Sequence, residues 1–212
     1  MNQGRERRLV VGITGATGAI FGIRLLEVLR AASVESHLVI SKWGLQTIEH
    51  ETSYTLRQVR DLATVCYEQA NMGAALSSGS FITDGMVIAP CSVRTLAAIA
   101  HGTGDQLVHR AADVTLKERR KLVLLVRETP LSEVHLENML KVARMGVTVM
   151  PPMPAFYNQP QTLADMVDHI VARVLDQFGI AAAFARRWDG AMRSKPAARR
   201  KTATARGAKK SS

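Results

Sequence analysis

The chain has 212 residues, 47% hydrophobic and 22% charged, with a formal net charge of +10, a size that suits one domain with a sizeable core. Its apolar runs fall short of the roughly 18 unbroken residues that cross a bilayer, and MNQGRERR lacks the apolar core and cleavage site of a signal peptide, so a cytoplasmic protein without a membrane partner is expected. Cys66, Cys91 and six scattered histidines without H-x-x-x-H spacing make neither a disulfide framework nor a metal site.

The charge is uneven. Residues 186–212 hold ten Lys or Arg and one Asp, a net of +9, and residues 1–8 carry +2, leaving residues 9–185 at −1. The stretch RSKPAARRKTATARGAKKSS has almost no large apolar side chains. The expected organisation is a flexible N-terminus at 1–8, one folded domain at 9–180 and a basic, disordered tail at 181–212. Charge confined to a tail argues against specific nucleic-acid readout; a solubilising extension is the favoured reading.

In chain order, LVVGI at Leu9–Ile13 predicts a first strand, which runs into Thr14-Gly-Ala-Thr-Gly18 and a helix over Ala19–Ala32. VESHLVI at Val34–Ile40 predicts a second strand ending at Ser41-Lys42-Trp43, and residues 44–70 read as helical and irregular. MVIA at Met86–Ala89 predicts a third strand ended by Pro90, followed by a helix over Ser92–Ala100 stopped by Gly102. A helix over Leu107–Arg120, a strand at Lys121–Val126, a helix over Leu131–Arg144, a strand at Val147–Met150 and a helix over Thr162–Phe178 complete the pattern. Such alternation means βαβ units with right-handed crossovers. The fold class is α/β, a doubly wound parallel sheet in a three-layer αβα domain.

In such a sheet ligands bind beyond the carboxyl ends of the strands, so the residues there carry the functional reading. Gly12-x-Thr14-Gly15-Ala16-Thr17-Gly18-Ala19 reads as a phosphate-binding turn, with the helix N-terminus offering N–H groups to an anion. NAD is disfavoured, because Ile40-Ser41-Lys42 supplies no acidic residue for a ribose and no Tyr-x-x-x-Lys pair occurs. Ser41 offers a hydroxyl to a phosphate or ring edge, although an isolated serine there is more often a helix cap. Ser92 caps the helix after the third strand, and Cys91 reads as a buried, inert thiol. Arg127-Glu128-Thr129-Pro130 ends the Lys121–Val126 strand, and upstream Arg110, Lys117 and Arg120 form a basic cluster at helical spacing. Met150–Tyr157, rich in proline and ending in Phe156-Tyr157, reads either as one wall of a flat apolar pocket or as a rigid surface loop. Arg173, alone in the last helix, would ordinarily be solvated.

Together TGATGA, ISKWG, HET, SGSFITDGMVIAPCSVRTLAAIAHG, RAADVTLKERRKLVLLVRETPL and the proline-rich segment with Tyr157 resemble the flavin prenyltransferases of the UbiX type, over about Leu9 to Ile180. The resemblance implies a flavodoxin- or Rossmann-like protomer in a large homo-oligomer, usually a dodecamer, with FMN between subunits. Gly15, Ala16, Thr17, Ser41, Ser92, Val93, Arg94, Thr95 and Arg127 would bind FMN. Lys117, Tyr157 and Arg173 would grip dimethylallyl phosphate, with Arg110, Glu51 and Glu128 nearby. Thr17 and Arg94 stand where many members have serine and lysine. A prenylated-FMN-dependent decarboxylase would receive the product.

Expelling phosphate from an allylic carbon needs fixed positive charge. Lys117, Arg110 and Arg173 can supply it to a monophosphate without a metal, and the chain has no aspartate-rich Mg²⁺ motif. Of the acids, Glu128 is the best-placed proton carrier, with Glu51 and the departing phosphate as rivals. A flavin-dependent cysteinyl decarboxylase is disfavoured because Arg94 and Pro154 replace the asparagines of that group's motifs. A decarboxylase of aromatic acids, or a flavin carrier without catalysis, ranks lower still.

Overall fold

The computed structural model describes residues 6–184, together with Trp188 and Gly190. Most of the expected basic tail therefore lies outside the described residues.

Six strands form one wholly parallel sheet: β1 (Arg8–Ile13), β2 (Glu35–Ile40), β3 (Val65–Tyr67), β4 (Gly85–Cys91), β5 (Lys121–Val126) and β6 (Thr148–Val149), in the order β3-β2-β1-β4-β5-β6. Helices α1 (Ala19–Ala31), α2 (Lys42–Glu51), α3 (Leu56–Leu62), α4 (Val93–His101), α5 (Leu107–Lys117), α6 (Glu133–Arg144) and α7 (Leu163–Asp176) cover both faces. One core layer packs Ile23, Leu26 and Leu29 of α1 with Val171 and Leu175 of α7 on the sheet. The other packs Leu96 and Ile99 of α4 with Val108 and Ala112 of α5. Each valine, leucine or isoleucine side chain buried this way contributes about 1.5–3 kcal/mol. The order reverses between β1 and β4, which opens a crevice at the carboxyl ends of those two strands.

Three features depart from the expected pattern. Val65–Tyr67 is an edge strand, too short and too exposed at Cys66 to show an alternating pattern; it pairs with His37–Val39 of β2. Pro90 lies inside β4 rather than ending it. The register against β5 shifts between Ile88 and Cys91, which absorbs a residue that has no N–H to donate. The ordered body also reaches past its expected limits: Arg8 belongs to β1, and Ala182 is buried in the core.

Candidate active site

The carboxyl ends of β2, β1, β4 and β5 are tied together by hydrogen bonds. Ser41 N–H donates to the Ile13 carbonyl (2.9 Å), and Arg127 N–H donates to that of Cys91 (3.1 Å). Buried Thr14 makes the central tie: its Oγ1 donates to the Pro90 carbonyl (2.9 Å) and accepts from Ser92 N–H (2.9 Å). Sequence reading passes over Thr14 because a threonine beside glycines reads as turn filler. Thr14→Val keeps the shape and strands the Ser92 N–H, while the Pro90 carbonyl keeps the Thr14 N–H (3.2 Å), so an equilibrium denaturation curve should show about 1–3 kcal/mol lost.

Above these ties lies a cleft of about 480 Å³, within the usual range for small-molecule sites. Gly15, Ala16 and Thr17 line it from the turn after β1, and Ser41 lines it from the end of β2. Ser92, Val93, Arg94 and Thr95 at the start of α4, with Arg127 and Glu128 beyond β5, complete the expected set. Gly15 is obligatory, since a Cβ there would sit 2.3 Å from Trp43 Cβ. Sequence reading misses Lys42, Trp43, Gln69, Gln106 and His109. Gln69 follows the unrecognised β3, and its side chain and backbone accept the N–H groups of Lys42 and Leu107.

Both cleft serines are helix caps. Ser41 Oγ accepts from Gly44 N–H (3.0 Å) and Ser92 Oγ from Thr95 N–H (3.2 Å). Each hydroxyl also carries a proton; that of Ser92 reaches Thr95 Oγ1 at 3.1 Å. Cys91 is fully buried, and burial pushes its thiol far above the ordinary range, which suits an inert side chain.

The first glycine turn departs from expectation. Gly18 takes a left-handed conformation (φ 99°) at the start of α1, and the carboxylate of Glu51 accepts the N–H groups of Gly18 (2.7 Å) and Ala19 (3.2 Å). A negative side chain thus fills the anion site at the N-terminus of α1, leaving the N-termini of α2, α4 and α5 to open into the cleft, with Arg94 in the first turn of α4.

The expected donor-binding residues do not line this cleft in the single chain. Lys117 is eight residues along α5 from His109, about 12 Å by helical rise, and forms an ion pair with Glu118. Arg110 pairs with Asp113 (2.7 Å) and Arg173 with Asp176 (3.0 Å). Lys117 and Arg110 line a neighbouring depression of about 600 Å³ between α4 and α5, which meets the cleft at His109. Tyr157 lies against α7, with its hydroxyl 3.5 Å from His169 Nε2 and its ring edge-on to that of Trp188. Phe156 and Tyr157 are 71% and 56% exposed, so the proline-rich segment is not a wall of the cleft within one chain. Glu51 is also absent from its lining.

Among the described residues no helix is long and apolar enough to cross a membrane, and no three His, Cys, Asp or Glu side chains cluster as a metal site.

A parallel αβα sheet with a polar cleft at its switch point, a capped helix N-terminus and two arginines defines a nucleotide-binding α/β protein. The family described as Flavoprotein matches residues 2–176. The chain is 60% identical over 192 residues to a probable UbiX-like flavin prenyltransferase of Bacillus subtilis (strain 168), covering 91% of this chain and 94% of that protein. Its structure matches that of AnUbiX (PadA1) in complex with FMN and dimethylallyl pyrophosphate, with TM-score 0.88, 52% identity, and coverage of 89% of this chain and 100% of that one. It also matches a dodecameric FMN-dependent UbiX-like decarboxylase from Escherichia coli O157:H7, with TM-score 0.85, 59% identity, and coverage of 86% and 100%. The chain belongs to the Flavoprotein family and, within it, to the UbiX-like flavin prenyltransferases.

Proposed function

We propose that this protein transfers a dimethylallyl group from dimethylallyl phosphate to N5 and C6 of reduced FMN in the cytoplasm, and that a prenylated-FMN-dependent decarboxylase takes up the product. The observation that carries this reading is the convergence of all nine expected flavin residues on one cleft at the sheet's switch point.

The cleft suits FMN on its own geometry. Gly15 packs so closely on Trp43 that no side chain fits between them, which fixes the turn lining the cleft. Arg94, Arg127 and the N-terminus of α4 offer positive charge to a phosphate. With Glu51 on the N-terminus of α1, the flavin phosphate belongs at α4, beside Ser41. Reduced FMN supplies the nucleophilic ring positions; the chain supplies orientation, charge and proton transfer.

Lys117, Arg110, Tyr157 and Arg173 complete the site from neighbouring copies in a homo-oligomer, a dodecamer in this reading. Two facts support this: these residues lie outside the cleft of their own chain, and the cations Lys117, Arg110 and Arg173 are themselves exposed, in ion pairs of the kind worth only about 0–1 kcal/mol. Such pairs yield easily to a phosphate. Exposed apolar side chains on α6 (Val134, Leu136 and Leu140), together with Phe156 and Leu163, offer surface for the assembly.

The direct test is anaerobic incubation with reduced FMN and dimethylallyl phosphate, followed by mass spectrometry of the extracted flavin. A mass gain of one dimethylallyl group is expected, and unmodified FMN would refute the reading. Because side-chain cations take the place of a metal, turnover with the monophosphate should survive EDTA. Loss of activity restored by Mg²⁺ would refute the metal-free donor site.

A further inference from the structure

His109 is the cleft residue whose bonding is left incomplete. It stands in the first turn of α5, where the cleft, lined by Arg94, Gln106 and Arg127, meets the depression that holds Arg110 and Lys117. Its ring is half-buried, and Nδ1 is enclosed without a hydrogen-bond partner among the described residues, whereas Nε2 is not enclosed in this way. Gly104 packs against the same edge: a Cβ there would lie 2.6 Å from Nδ1 and 2.0 Å from His109 Cβ. That close contact holds the Nδ1 edge inward.

This geometry leaves one useful tautomer. Nδ1 lacks a partner in either neutral form, but only the form with its proton on Nε2 puts a donor on the edge open to a ligand. Burial pushes the imidazole below its usual pKa; Asp105 opposes the shift and Arg94 adds to it. The outward edge is therefore a neutral N–H donor in a cleft whose arginines already supply the charge.

We propose that His109 is a phosphate-recognising residue of the flavin site, donating its Nε2–H to a phosphate oxygen of FMN and thereby favouring FMN over riboflavin. The proposal rests on the placement of the flavin phosphate at the N-terminus of α4. A hydrogen bond to a charged acceptor is worth roughly tenfold or more in affinity.

The test compares FMN with riboflavin on the full chain and on two variants of similar polarity. Glutamine carries its amide near the position of Nε2, asparagine near that of Nδ1. His109→Gln should keep the FMN-to-riboflavin affinity ratio within about threefold of the unmodified protein. His109→Asn should lower FMN affinity about tenfold and leave riboflavin affinity unchanged. Equal losses for both flavins, or no change in the ratio, would overturn the assignment while leaving the flavin site intact. If the unmodified protein bound FMN and riboflavin equally, the phosphate placement itself would fall, and the proposal with it.

Discussion

Replacing Lys117 with alanine should lower the rate of prenyl transfer about 100-fold, the scale of losing one charge-stabilising group from a transition state. FMN affinity should stay within a few-fold, because Lys117 lies outside the cleft of its own chain. The fold should survive, because the side chain is exposed and its partner Glu118 is a surface carboxylate. Arg173→Ala should behave alike, since Arg173 is also exposed and paired within its own helix. A flavin titration beside a single-turnover assay separates the two effects. If both variants lost FMN binding and rate in equal proportion, these residues would belong to the flavin site and the division proposed between cofactor and donor residues would be wrong.

That Gly15, Ser41, Ser92 and Arg127 share one cleft was legible in the strand pattern, and the surroundings of Lys117, Tyr157 and Arg173 were not, for a physical reason. Gly15, Ser41, Ser92 and Arg127 each follow a strand of a parallel sheet, and strand ends converge by topology alone. Recognising the strands was therefore enough to bring those residues together. Lys117, Tyr157 and Arg173 sit on helices and a proline-rich loop, whose neighbours depend on packing and, in the proposed assembly, on other copies of the chain.

Two features lay beyond the reach of local pattern. The turn at Thr14–Gly18 has the composition of a phosphate loop, yet its helix N-terminus is taken by Glu51, 33 residues away in sequence. No local pattern signals so distant a carboxylate. The edge strand Val65–Tyr67 was missed because three residues cannot show a period; with it went Gln69, which spans the gap between α2 and α5. His109 escaped notice because a histidine in an amphipathic helix reads as a solvated residue until the enclosure of Nδ1 is seen.

Glu128→Gln should slow turnover by about 100-fold or more while both ligands still bind, as expected when a positioned proton carrier is removed. Bond formation at C6 of the flavin requires a ring proton to leave, and Glu128 is the acid that lines the cleft. Its carboxylate is held at the end of β5 by the N–H of Thr129 (3.0 Å), a contact that the glutamine carbonyl can keep. The amide retains size and hydrogen bonding but cannot take up a proton at neutral pH. Glu51→Gln is the matched comparison. Glu51 lies outside the cleft lining and already accepts two N–H groups of α1, so its loss should cost less than about tenfold in rate, mainly through a weakened turn. Single-turnover rates for the two variants, each saturated with flavin and donor, rank the acids directly. A larger loss at Glu51 than at Glu128 would move the proton transfer to Glu51, and would require that carboxylate to leave α1 during the reaction.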